Sequence, residues 1–127
     1  MNPLTIEWIT KAEGDFSTAG RELRARKTPN YDAVCFHSQQ SIEKYLKAVL
    51  QENGIPIPKT HVLQELLVLC MRIDPIFESI KTELNILEGY AVQFRYPGIT
   101  ADKADAQLAY KNTLLTRIFV RNQLGLS

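Results

Sequence analysis

Two groups of residues in this chain have the types and spacing to act on an anionic ligand. His37, Gln40 and Lys44 stand at i, i+3 and i+7, which places them on one face if the stretch is helical. Such a face offers an imidazole, an amide and an ammonium group. The other group is Arg95-Tyr96-Pro97. A guanidinium held at a break in the backbone can grip a phosphate bidentately beside a tyrosine ring that can stack on a base. His61 is a further acid/base candidate. Each also has an ordinary structural role. Polar residues on a helix face are commonly solvated, and a histidine at a helix start commonly caps or packs. An arginine at a helix C-terminus satisfies carbonyls and the helix dipole.

Most other catalytic signatures are missing. The six glycines are scattered singly, so no loop cradles a phosphate. There is no HExxH, no cysteine cluster and no Ser/His/Asp elbow. Glu13 and Asp15, at i and i+2, point apart on a helix and do not make a carboxylate pair. The expectation is therefore no metal and no cofactor. Net charge is +1, so no bulk field argues for nucleic acid or membrane. Cys35 and Cys70 both lie in apolar helical patterns and read as two buried thiols. No signal peptide is visible, and no apolar run approaches the roughly 20 residues that cross a bilayer. These features read as a cytoplasmic protein without membrane contact.

The element that must position His37, Gln40 and Lys44 runs from Tyr31 to Asn53. Tyr31, Val34, Cys35, Ile42, Tyr45, Leu46, Val49 and Leu50 form a helical stripe broad enough for the centre of a bundle. Asn30 caps its start after Pro29, and Gly54 supplies the left-handed residue that ends it. Before it, Trp8, Ile9, Ala12, Phe16, Ala19 and Leu23 mark a first helix running to about Arg26. Arg21, Arg24, Arg26 and Lys27 complement its C-terminal dipole.

After the extended Ile55-Pro56-Ile57-Pro58-Lys59, Thr60 is expected to cap a third helix over about His61 to Arg72. Leu63, Leu66, Leu67 and Cys70 are its inner stripe. Val62, Val68, Leu69 and Met71 make it apolar almost all round, which predicts burial on several sides or contact with a second copy. Asp74-Pro75 starts a fourth helix bearing Phe77, Ile80, Leu84, Leu87, Ala91 and Phe94. Gly89 within it marks a kink or a close approach. Pro97-Gly98 breaks the chain. Thr100 then caps a last helix with Asp102 in its first turn, an inner stripe of Ala101, Ala104, Leu108, Leu115, Ile118 and Phe119, and Gly125 at its end.

No strand pattern occurs. A chain of 127 residues reads as one domain that can bury a core without staples. The predicted fold is all-α: an up-and-down antiparallel bundle of five helices, four long and one shorter.

Cys35-Phe36-His37-Ser38-Gln39-Gln40-Ser41-Ile42-Glu43-Lys44-Tyr45-Leu46-Lys47-Ala48 resembles the central helix of the HEPN family. Trp8, Ala12 and Asp15-Phe16 in the first helix, Thr60-His61 with Leu63, and Arg95-Tyr96-Pro97 before the last helix are similar too. The resemblance covers nearly the whole chain. It implies a five-helix bundle, usually a homodimer, and a fold like the helical domain of kanamycin-type nucleotidyltransferases. Many such proteins are encoded beside a minimal nucleotidyltransferase as a toxin–antitoxin-like pair. Active members are metal-independent ribonucleases, with an arginine followed a few residues later by a histidine and the two brought together across the dimer.

Arg95 matches that arginine, but the histidine positions are Thr100, Ala101 and Asp102, and no histidine follows His61. RNA cleavage needs a base for the 2′-hydroxyl proton and an acid for the leaving oxygen. Threonine supplies neither at neutral pH, and an unshifted aspartate is a poor base. His61 or His37 would have to come near Arg95. The leading expectation is therefore an interaction module that binds nucleotide or RNA at Arg95 and Tyr96, with His37, Gln40 and Lys44 as further contacts, and pairs with a nucleotidyltransferase. A ribonuclease with an altered acid/base, Arg95 and His61 being its candidates, is the alternative. An oligomeric bundle without ligand chemistry is the third.

Overall fold

The computed structural model describes all 127 residues. It contains five α-helices and no strand: α1 Pro3–Leu23, α2 Tyr31–Glu52, α3 Leu63–Ile73, α4 Lys81–Gln93 and α5 Lys103–Gln123. The all-α bundle is as expected. α2 is its axis and packs against each of the other four helices. Val34, Cys35, Ile42, Tyr45, Leu46, Val49 and Leu50 are buried, so the stripe read from its spacing is the core face. Leu63, Leu66, Leu67 and Cys70 of α3, and Leu84, Leu87 and Ala91 of α4, close on the same core with Phe77 and Ile80. Because neighbours surround α2, its polar residues Ser38, Gln39, Ser41, Glu43 and Lys47 are buried as well. Ser41 Oγ donates to the carbonyl of Ala12, 2.9 Å away, fastening α2 to α1.

The breaks fall where the residues dictate. Asn30 caps α2, its side chain accepting from Ala33 N at 3.0 Å. Gly54 and Gly125 follow α2 and α5 at φ +68° and +76°, conformations that disfavour a Cβ. Several boundaries differ from expectation. α1 ends at Leu23 and is capped by Arg24, leaving Arg26 and Lys27 in the loop. α3 starts at Leu63 rather than His61, and the hydroxyl of Thr60 accepts from Val62 N instead of capping a helix. The cap of α5 is Asp102, not Thr100. Asp102 and Asp105 each accept the other's backbone N–H, a reciprocal pair that a hydroxyl at Thr100 would have to outcompete. Asp74 and Pro75 do start the fourth helical segment, but its first turns, Pro75–Ile80, are a 3-10 helix leading into α4. At Gly89 the helix runs on, and an added Cβ would meet nothing within 4 Å, so no close approach explains that glycine.

The largest departure is in α5. Of the six residues expected to face inward, Ala101 is buried and Phe119 packs against the core, edge-on to Phe77. Ala104, Leu108, Leu115 and Ile118 face outward. The buried face is Ala106, Ala109, Asn112, Thr113, Thr116 and Val120. Both rows obey helical spacing, and hydropathy alone selects the wrong one. The small residues go inward because α5 lies against α2, whose large side chains already fill the interior.

Candidate functional site

Asp15 on α1 decides the fate of two candidate ligand contacts on α2. Its carboxylate takes His37 Nδ1 at 2.8 Å and also pairs with Lys44. Side-chain exposures of 29% for His37 and 24% for Lys44 leave little of either open to a ligand. Gln40 does not join them. Its amide donates to Gln39 Oε1 at 2.9 Å and more weakly to Glu43 Oε1 at 3.4 Å. Gln39 in turn donates to the carbonyl of His61, 2.9 Å away, holding the loop before α3. Of the three residues read as one polar face, His37 and Lys44 are thus tied to α1, while Gln40 bonds within α2.

Arg95 stands differently. It follows α4, is exposed, and its side chain makes no hydrogen bond or ion pair. It lines a cleft of ≈ 110 Å³ with Asp32, Phe36, Tyr90, Ala91 and Phe94. Tyr90 and Phe94 stack at 5.6 Å, Phe36 is 48% exposed and Tyr96 is 64% exposed. Asp32 is already engaged, accepting from Ala101 N at 2.7 Å. The site therefore presents a free guanidinium among aromatic faces, at the turn that Pro97 and Gly98 impose.

No histidine lines this cleft. His37 is held toward α1 by Asp15, although its ring meets Phe36 edge-on at 5.2 Å. His61 lies beside Glu43 of α2, 3.2 Å from its carboxylate. Asp102, which stands at one of the positions where a catalytic histidine would be expected, is committed to capping α5. No group of three or more His, Cys, Asp or Glu residues is arranged to hold a metal ion.

A second ionic cluster is invisible in the sequence pattern. Glu13 accepts from Tyr45 Oη at 2.7 Å and Arg117 Nε at 2.8 Å, and Arg121 donates to Tyr45 Oη at 3.1 Å. The Arg117 hydrogen bond holds the Glu13 carboxyl below its usual range, against the opposing effect of burial. Burial, then the Glu13 hydrogen bond, push the Tyr45 phenol up. Arg117 also lies over the Phe16 ring at 4.5 Å, and Phe16 stacks on Tyr110. This cluster ties α1, α2 and α5 together. Its members are too far apart in the chain for any local pattern to join them. Glu13 and Asp15 do point to different partners, as their spacing requires.

Residues 5–120 match the HEPN domain family. The chain belongs to the HEPN domain family. The structure is similar to the crystal structure of ST0689, an archaeal HEPN homologue, at 25% identity and TM-score 0.73, covering 94% of this chain and 96% of that one. It is also similar to TT1696 from Thermus thermophilus, at 22% identity and TM-score 0.74, covering 93% and 96%. The latter shows the likeness of fold alone. No curated protein matched the chain. In this HEPN chain no helix is long and apolar enough to cross a membrane.

Proposed function

We propose that this HEPN bundle is a binding module that holds a nucleotide or RNA phosphate at Arg95, with a base stacked on the neighbouring aromatic surface. The observation that carries this reading is the contrast among cations. His37, Lys44 and Arg117 each have a carboxylate partner, whereas Arg95 has none and stands among exposed aromatic rings. A guanidinium for the phosphate and aromatic faces for the base are the two parts of single-strand recognition. Nothing beside Arg95 offers both an acid and a base, so these residues support binding over cleavage.

A short fluorescent oligoribonucleotide titrated by anisotropy tests the proposal. Arg95→Ala should weaken binding by about tenfold or more and flatten its salt dependence, and Tyr96→Ala should weaken it less. The RNA should remain intact without metal. Unchanged binding by Arg95→Ala sinks the reading, and metal-free cleavage lost in that variant moves it to the ribonuclease alternative.

The same proposal includes a homodimer. Ala104, Leu108, Lys111, Leu115, Ile118 and Asn122 follow alternating steps of four and three along α5, the seam spacing of paired helices. Leu108, Leu115 and Ile118 are 41%, 50% and 50% exposed. This is a larger apolar face than the Val62 and Val68 left open around α3, and it supports self-association through α5. Sedimentation should give a dimer at micromolar concentration, and Leu115→Glu a monomer of unchanged helix content. Pairing with a minimal nucleotidyltransferase in a toxin–antitoxin-like module rests on HEPN membership, and copurification of the two proteins tests it.

A further inference from the structure

A second cleft, of ≈ 450 Å³, opens where the loop before α3 crosses α1 and α2. Trp8, Lys47, Lys59, Thr60 and His61 line it, with Ile57 and Pro58 as an apolar wall. It lies apart from the Arg95 cleft: Phe36 of that cleft and Lys47 of this one are separated by roughly 16 Å along α2. A ligand here needs nothing from Arg95.

Behind the lining sits Glu43, its side chain only 4% exposed. Glu43 accepts from Lys47 Nζ at 3.0 Å and lies 3.2 Å from His61 Nδ1. Lys47 is itself 8% exposed and stands 5.6 Å from the centre of the Trp8 ring. A buried ion pair of this kind adds little stability over well-packed apolar residues, because desolvation offsets the attraction. Its presence on the central helix of an apolar core therefore asks for another use. What it does is orient donors. A carboxylate only accepts, so Nδ1 of His61 carries the proton that faces Glu43, and Nε2 is left for the cleft. His61 is 79% exposed. The Thr60 hydroxyl oxygen accepts from Val62 N, which leaves its proton free to donate outward. Lys59, exposed at the rim, gives the cleft a free ammonium group beside a hydroxyl and a positioned imidazole, while the Lys47 ammonium is held on Glu43 at its base and no carboxylate is among the lining residues.

We infer that this cleft is a binding site for a phosphate monoester, with its phosphate on Lys59, Thr60 and His61 and its organic body along Ile57, Pro58 and Trp8. Several donors converging from a helix and a loop suit the three terminal oxygens and double charge of a phosphate better than a carboxylate. With Nδ1 turned to Glu43, Nε2 is the ring atom that meets the phosphate.

Phenyl phosphate, inorganic phosphate and benzoate, titrated calorimetrically into the full chain, test the inference. Phenyl phosphate should bind, inorganic phosphate more weakly at the same residues, and benzoate least. Lys59→Glu and His61→Ala, both exposed and so expected to keep the wild-type melting temperature, should each weaken phenyl phosphate by about tenfold or more. Repeating the titrations in Arg95→Ala separates the two clefts: binding here should remain and should still be lost when Lys59→Glu or His61→Ala is added. No binding at about 10 mM, binding that survives both cleft variants, loss only in Arg95→Ala, or equal binding of benzoate would each overturn it.

Discussion

Asp15 reaches His37 and Lys44 across the α1–α2 seam, while Glu13, two positions earlier, reaches Tyr45 and Arg117 on the other side of α1. Single residues thus decide which charges are free to meet a ligand and which are spent on packing helices together. Glu13 carries a pH prediction. Its folded-state carboxyl is held down by Arg117, so it binds protons less readily folded than unfolded. Its stabilisation is therefore complete above the ordinary carboxylate range and is lost as pH falls through the lowered folded value. Urea midpoints of wild type and Glu13→Gln should differ most at neutral pH and converge as the pH drops below the ordinary carboxylate range. A constant gap would show that Glu13 acts through packing alone. Partial exposure keeps the effect modest. At this scale the sequence was a fair guide to residue types and a poor one to partners. The spacing of His37, Gln40 and Lys44 was legible, but Asp15, which takes two of them, lies on another helix and so on no wheel of α2.

At the scale of elements, α5 separates periodicity from burial. Its two rows compete, and the row with Ala106, Ala109, Thr113 and Thr116 is the one against α2. Two hydroxyls on that face are not equivalent. Thr113 Oγ1 donates to the carbonyl of Ala109 at 2.9 Å, whereas Thr116 Oγ1 is buried without a partner. Thr116→Val keeps the shape and removes the orphaned hydroxyl, so it should raise stability by about 1 kcal/mol, while Thr113→Val should not. Denaturant midpoints for the two variants check this, and equal effects would refute it. In α4, Gly89 is exposed in a continuous helix with open space around it. Gly89→Ala should stabilise by about 0.5–1 kcal/mol through backbone entropy. A loss of stability in the same measurement would show that the position needs glycine after all.

Taken as a whole, the molecule seals its two thiols inside. Cys35 and Cys70 are free and buried, and burial pushes both up to about 12. Native protein should react with a thiol reagent at about pH 8 only as fast as it opens, and both thiols should react at once in denaturant. Rapid reaction of either in the native state would contradict that burial. The same interior shows what the chain determined unaided. Stops at Pro29 and Pro97, the cap at Asn30 and the apolar stripes of α2, α3 and α4 depend on local conformational preference and on spacing, both written in consecutive residues. The Glu13–Arg117 and Glu43–His61 contacts, and the face that α5 turns inward, were decided only when the helices met. A helix wheel records which side is oily but not whether this chain or another molecule covers it. That depends on the room left beside α2, a property of the assembled bundle rather than of any one segment.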